Sequence, residues 1–215
     1  MTEVVPTFML MNARIGRFCH LITPRKYDKP RDDGTFSDPK YELELIVPKT
    51  HPQVEQLKAR QRAAAEKKWG PEAQNMLVAL SAKDKVLLHN GDATRIGKPE
   101  YAGMLYLNPK NSDQPTVIVS RNGENIATQG TPKVLLPSDP MWPYPGCMVN
   151  VELDIYAYQK GNIALISATI LGVQFAGHAP RLGNVRVSSA GSFGIVATDA
   201  DGAAPSQSSA GDGLI

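Results

Sequence analysis

The chain has 215 residues, 42% of them hydrophobic and 20% charged, which is ordinary for a globular protein and leaves apolar material for one sizeable core with added tails. No apolar run approaches the roughly 20 residues that span a bilayer, and MTEVVPTF lacks the basic and apolar regions of a signal peptide, so no membrane span by a helix is expected and a cytosolic protein is. The net charge of +2 hides an asymmetry: from Thr198 onward there are three aspartates and no lysine or arginine, which leaves 23 basic against 18 acidic residues, or +5, on the body.

The first strand is expected over Phe8 to Thr23, with Met9, Met11, Ala13, Ile15, Cys19 and Leu21 in the apolar phase and Asn12, Arg14, Phe18 and His20 in the other. Arg17 breaks the alternation directly after Gly16. A glycine inside a long strand marks a bulge or bend, so the strand is expected to curl there, and the facing of Arg17 and Phe18 depends on the register that results. Pro24 to Tyr41 is dense in Pro, Asp and Lys/Arg and reads as a loop.

Between Arg14 and Arg31 there are six basic residues (Arg14, Arg17, Arg25, Lys26, Lys29, Arg31) against one acidic residue, Asp28, with Phe18 and Tyr27 interleaved. Cations neutralise phosphates and release counterions, while an aromatic face stacks on a base at about 1 to 3 kcal/mol, so this stretch suits a nucleic-acid strand. The alternative is a solvated loop whose charges serve only solubility.

YELELIVP, Tyr41 to Pro48, alternates as a partner strand, with Glu42 and Glu44 on the side opposite Leu43, Leu45 and Val47. Thr50 reads as the N-cap of a helix with Pro52 in its first turn and Val54, Leu57 and Gln61 on one face; Gly70 and Pro71 stop it, and a second helical piece covers Pro71 to Ala82. In LLHNGD, Asn90-Gly91 reads as a turn. His89 and Asp92 lack a third ligand at recognisable spacing, which leaves a metal-dependent nuclease as a minor alternative. Arg95 and Lys98 sit in the loop before a strand over Tyr101 to Lys110 that carries Tyr106, and Pro115 to Gly123 is a further strand ending at a turn with Arg121.

After a Pro/Gly/Asn/Ser-rich connection with Trp142 and Tyr144, the clearest pattern begins. From Cys147 to Ala157 the odd positions are apolar and the even ones include Glu152, Asp154 and Tyr156, with Tyr158 following. Gln159 to Asn162 then supplies a tight reversal into a second long strand that ends near Phe175. The two cysteines, Cys19 and Cys147, lie on apolar strand-like stretches and read as reduced, buried thiols; they are too few for a zinc site. Regular structure is expected to end near Val196. The stretch 198–215 is expected to be a flexible acidic tail, because it holds little to bury apart from Leu214 and Ile215.

The succession PRKY, PKYELELIVPK, a polar helix, HNGD, PEYAGMLYLN and PYPGCMVNVELDIYAYQKGNIALISATILGVQF, covering Phe8 to Gly177, resembles the family of tailed-bacteriophage single-stranded DNA-binding proteins. The most specific part is the lead-in Tyr144-Pro145-Gly146-Cys147 and the Tyr156-Ala157-Tyr158 strand after it; the proline between Tyr144 and Gly146 departs from the simplest form of that motif. The resemblance implies a mainly β, five-stranded antiparallel Greek-key barrel of the OB type with an inserted helix. It also implies binding of single-stranded DNA without marked sequence preference, in phage replication or recombination in the cytoplasm of an infected bacterium, with no catalysis, metal or cofactor.

The division expected is one binding domain over 1–197 and the acidic tail over 198–215. On that geometry the DNA-binding candidates are Arg14, Arg17, Phe18, His20, Arg25, Lys26, Tyr27, Tyr156 and Tyr158, with Arg95, Lys98 and Tyr106 in second rank. Barrel packing is the alternative role for Phe18 and Tyr106. Glu152 and Asp154 repel phosphate and confine contact on the hairpin to its tyrosine end. Asp199, Asp201, Asp212, Leu214 and Ile215 are candidates for recruiting phage or host replication and recombination proteins, and an adaptor acting only through that tail is the alternative to a DNA-binding protein.

Overall fold

The structure is a computed structural model and describes residues 7–28, 30, 34–119 and 142–182, all within one compact unit that ends at Asn184. Lys29, Arg31, Arg121, the expected end near Val196 and the tail candidates Asp199, Asp201, Asp212, Leu214 and Ile215 lie outside the described residues. The elements in chain order are β1 (Phe8–Arg25), β2 (Lys40–Pro48), α1 (Val54–Trp69), α2 (Ala73–Ala82), β3 (His89–Asn90), α3 (Gly91–Thr94), β4 (Met104–Leu107), β5 (Lys110–Asn111), β6 (Thr116–Val119), β7 (Met148–Lys160) and β8 (Ile163–Gly177). Among the described residues no helix is long and apolar enough to cross a membrane.

The strands form one sheet in the order β3-β4-β2-β1-β7-β8-β6, with β5 paired to β2. Strands β1, β2, β4, β7 and β8 supply the expected antiparallel body with a helical insertion. The two-residue strands β3 and β5 are additions, and β6 runs parallel to β8 through Thr116↔Gly172 and Val117↔Val173. Among the described residues the terminal strands β3 and β6 do not pair with each other, so the sheet they form is open rather than the closed barrel expected.

Strand β1 is central because both its edges are used. It pairs with β2 through Ile15↔Leu45, Cys19↔Leu43 and His20↔Glu42, and with β7 through Phe8↔Leu153 and Ala13↔Val149. Its apolar phase at the start is the reverse of the sequence expectation: Phe8 and Leu10 are buried, while Met9 and Met11 are 46% and 40% exposed. The cause is a bulge between Leu10 and Ala13, where Asn12 takes φ 52°, a left-handed conformation that asparagine tolerates better than most residues. The Asn12 N–H donates to Asn150 Oδ1 at 2.8 Å. One extra residue flips the faces, so Ala13 and Ile15 return to the core.

The bend expected at Gly16 is present as a second irregularity, between Ile15 and Cys19. Gly16 is buried, and a Cβ there would overlap the Glu44 carboxylate.

Helix α1 begins at Val54, and its N-cap is Gln53 rather than Thr50. Gln53 makes no side-chain cap because its amide is committed to β1: Nε2 donates to the Met9 carbonyl and Oε1 accepts from the Met11 N–H, each at 2.8 Å. Val54, Leu57 and Ala65 bury one stripe of the helix, and the Trp69 indole donates to Gln159 Oε1 on β7. A short 3-10 turn, Gly70–Glu72, separates α1 from α2.

The β7–β8 hairpin follows the sequence pattern. Val149, Val151 and Leu153 are fully buried, Tyr156 and Tyr158 are exposed, and Gly161 at φ 56° closes the turn beside the Lys160↔Ile163 pair. Replacing Gly16 by alanine forces a methyl into the Glu44 site. Gly16→Ala is therefore expected to lower stability by about 1 to 3 kcal/mol, read as a shift of the urea midpoint at unchanged slope; a wild-type midpoint would show that the site can relax.

Candidate nucleic-acid interface

Residues opposed in an antiparallel pair project to the same side of a sheet, so the register defines the outer face. Leu43, Leu45 and Val47 belong to the main core, whereas Ile46 packs on the other side with Tyr101 and Tyr106. The outer face therefore carries Arg14 opposite Ile46 and His20 opposite Glu42, with Tyr106 of β4 also opposite Ile46 and Lys110 of β5 opposite Glu42. The Phe18 and His20 rings lie side by side on it, with centroids 6.1 Å apart.

Two carboxylates organise this face. Glu42 and Glu44, on the solvent-facing phase by pattern, are each only 1% exposed. A carboxylate without water requires donors, and each has several. Glu42 accepts from Arg25 Nη1 at 2.9 Å and from the Tyr27 hydroxyl at 2.8 Å, and Lys110 Nζ lies 3.1 Å away. Arg25 and Lys110 also sit over the Tyr27 ring, at 5.6 and 5.0 Å from its centroid. Glu44 accepts from Arg95 Nη2 and from the Arg17 N–H, each at 3.0 Å, and from the Tyr101 hydroxyl.

The charge around the two centres differs. Glu42 is met by two cations, Arg25 and Lys110, whose side chains remain 49% and 43% exposed; with the exposed Lys26 next in the chain, three cations stand against Glu42 and Asp28, whose charge also acts on Arg25, so this centre carries a net positive charge at the surface. At Glu44, Arg95 is countered by Glu44 itself, and Arg17 pairs with Glu100 at 3.4 Å, which leaves this centre balanced.

The sequence candidates therefore divide. Arg25, Tyr27, Phe18 and His20 come together at the Glu42 centre, with the exposed Lys26 beside them in the chain. Arg95 is held between Glu44 and the rings of Tyr101 and Tyr106. Tyr106 is a packing residue: it is 4% exposed, its ring stacks on His89 at 4.8 Å, and its hydroxyl accepts from Thr94. Arg14 donates to the carbonyls of Gly146 and Pro180, tying β1 to the segments before β7 and after β8. Lys98 is half-buried in the loop after α3.

Tyr156 and Tyr158 are not brought to this group. Phe8 pairs with Leu153, so the tyrosines lie beyond the start of β1, whereas Phe18 and His20 lie toward its other end. Two residues escaped the sequence reading. Lys110 is recruited by a pairing with β2 that no local pattern announces. Phe36, 60% exposed, is a lone large apolar residue in the polar stretch DGTFSDPK, and that contrast was a usable signal.

The two residues of the metal-dependent alternative, His89 and Asp92, each have partners within the fold. His89 Nδ1 lies 2.7 Å from Asp84, and Asp92 engages Lys49 Nζ at 2.6 Å and the Gly103 N–H at 2.8 Å. Asn90 caps α3 by accepting from the Asp92 N–H, so the expected turn is also a helix start. Among the described residues no group of three His, Cys, Asp or Glu side chains is placed to hold a metal. Cys19 and Cys147 are free thiols, and burial, with Cys147 nearby, pushes Cys19 up to about 12.

Burial alone would raise the Glu42 carboxyl, but hydrogen bonds from Tyr27 and Arg25 and the Lys110 charge outweigh it and hold the group below its ordinary 4.5. Its stabilising contribution is therefore complete above about pH 4.5 and is lost as pH falls through the lower folded value. Glu42→Gln is expected to cost about 1 to 2 kcal/mol at neutral pH, since Arg25 and Lys110 can rehydrate, and to flatten the acid limb of stability. Urea unfolding at a series of pH values from about 3 to 7 measures this, and parallel acid limbs in wild type and variant would refute the assignment.

Comparison with known proteins agrees with this architecture. The sequence model of the family described as "Enterobacter phage Enc34, ssDNA-binding protein" matches residues 9–203. The chain is 28% identical over 169 residues to "Putative protein p50" of Acyrthosiphon pisum secondary endosymbiont phage 1, covering 77% of this chain and 80% of that one. Its fold is similar to the single-stranded DNA-binding protein of bacteriophage Enc34 solved in complex with ssDNA, with a TM-score of 0.59 at 20% identity over 81% of this chain and 88% of that one. It is also similar to gp2.5, a single-stranded DNA-binding protein encoded by bacteriophage T7, with a TM-score of 0.51 at 12% identity over 87% of this chain and 99% of that one. At those identities the structures establish the shared fold, and the family match over nearly the whole length establishes kinship: the chain belongs to the Enc34 phage ssDNA-binding protein family.

Proposed function

We propose that this protein binds single-stranded DNA largely without sequence preference, through the outer face of β1, β2 and β5 at the Glu42 centre, and protects it during phage replication or recombination. The observation that carries the reading is the meeting of family membership with a surface of net positive charge, where Arg25, Lys110 and Lys26 accompany Phe18, His20 and Tyr27. Arginine and lysine neutralise backbone phosphates whatever the sequence, and every base offers a π-face to an aromatic ring, so the chemistry is sequence-tolerant. Phe36, exposed in the loop between β1 and β2, adds a further stacking surface. Arg95, Arg14 and Tyr106 support the face rather than touch the ligand.

Titration of a fluorescent oligothymidine at rising salt is expected to show log-linear weakening. Phe36→Ala is expected to reduce affinity about fivefold or more, and Lys26→Ala to make the salt slope shallower by about 0.7. Wild-type affinity and slope in both variants would remove this face from the interface. Failure of the wild-type protein to retain any oligonucleotide at low salt would remove the function.

A separate reading, supported by composition, assigns recruitment of replication or recombination proteins to Asp199–Ile215, with three aspartates and two terminal aliphatic residues. Truncation after Ala197 is expected to abolish capture of such partners while oligothymidine binding persists; unchanged capture would exclude the tail.

A further inference from the structure

Away from the outer-face centre, a cavity of about 610 Å³ lies between helix α1 and the part of β7 that runs beyond the start of β1. Strand β1 pairs with β7 only as far as Phe8↔Leu153, so from Asp154 onward that edge of β7 has no partner strand among the described residues. The floor is apolar, built from Phe8, Leu153 and Ile155. On α1, Arg60, Ala63, Ala64 and Lys67 recur at i, i+3, i+4 and i+7, which is one stripe of a helix, and they line the cavity together with Lys68.

The stripe has a form suited to a strand-like polyanion. Its two small residues let a chain approach the helix closely. The cations Arg60 and Lys67 flank them about 10 Å apart along the axis. Lys67 and Lys68 are exposed and engage no carboxylate among the described residues. The facing wall contributes Tyr156, 38% exposed, as a ring on which a base can stack. One carboxylate, Asp154, opposes the two exposed lysines Lys67 and Lys68, so their charge exceeds it. A positive rim with an exposed ring matches phosphate and base face together.

We infer that this groove is a second contact zone for single-stranded DNA, separate from the Glu42 centre, so that a long strand engages both zones while a short one occupies only the outer face. The inference rests on the proposed DNA-binding function. It accounts for the position of Tyr156, which the register keeps away from Phe18 and His20.

The test compares oligothymidines of about 8 nucleotides, enough for one zone, and about 30, enough to reach both. The proteins are wild type, the double variant Lys67→Glu/Lys68→Glu, and Tyr156→Ala, with thermal melts to confirm folding. Both lysines are exposed, so charge reversal leaves the fold in place. The double variant is expected to bind the short oligonucleotide as wild type does and the long one about tenfold more weakly, with a salt slope shallower by about 1.4. Tyr156→Ala is expected to weaken only the long oligonucleotide, by about fivefold or more.

Unchanged long-strand affinity and slope in the double variant would overturn the inference, and loss of a fluorescent Glu-rich peptide by that same variant would then assign the groove to protein. Equal weakening at both lengths would overturn the separation into two zones. Absence of all binding by the wild-type protein would instead defeat the function itself, a result the short oligonucleotide identifies on its own.

Discussion

Two carboxylates without access to water set the terms for one side of this protein. Glu42 and Glu44 stand on the outer phase of β2, yet the chain covers both. Removing a carboxylate from water costs several kcal/mol unless donors replace the solvent, so the surrounding segments are obliged to supply them. Arg25 and Tyr27 draw the end of β1 and the following loop onto Glu42, and Lys110 brings β5 to the same point. Arg95 and Tyr101 bind the α3 region to Glu44, whose carboxylate also occupies the space that Gly16 leaves open. A loop, a strand bend and a short helical segment are thus anchored by two side chains of one strand.

The same anchoring shapes what the surface offers a ligand. A flexible basic loop must be ordered when it binds, whereas Arg25, Tyr27 and Lys110 are already held in mutual contact. Because Arg25, Lys26 and Lys110 outnumber Glu42 and Asp28 there, positive charge is left over where Phe18 and His20 are at hand. At Glu44 the count balances, and Arg95 and Tyr106 are consumed by packing. Basic and aromatic residues of similar appearance in the sequence therefore divide into a surface that can receive phosphate and a framework beneath it.

Register divides the aromatic residues in the same manner. Pairing of Phe8 with Leu153 sends Tyr156 and Tyr158 past the start of β1, and Tyr156 lines the cavity beside the alanine and lysine stripe of α1. Helix α1 is itself held there by Trp69 on Gln159 and by Gln53 on the backbone of β1. The insertion between β2 and β3 thus serves as a wall beside the hairpin as well as a cover for the core.

Much of this was legible in local pattern. Period-two alternation marked β2 and β7 as strands, although on β2 the structure buries both phases. Gly16 marked the bend, Gly70-Pro71 the end of α1, and Gly161 the hairpin turn. The ordered set of motifs from PRKY to the hairpin was enough to indicate the family that the match over residues 9–203 establishes. Sequence also supplied the stock of cations and rings between Arg14 and Arg31. It could not assign them, because burial of Glu42 and Glu44 depends on segments far away in the chain, and the bulge at Asn12 reverses the phase of β1 through a single residue. Composition and periodicity determined what kind of strands and what kind of chemistry this chain carries. Only tertiary structure decided which charges are spent holding the sheet together and which remain for a ligand, since that depends on long-range partners competing for the same carboxylates.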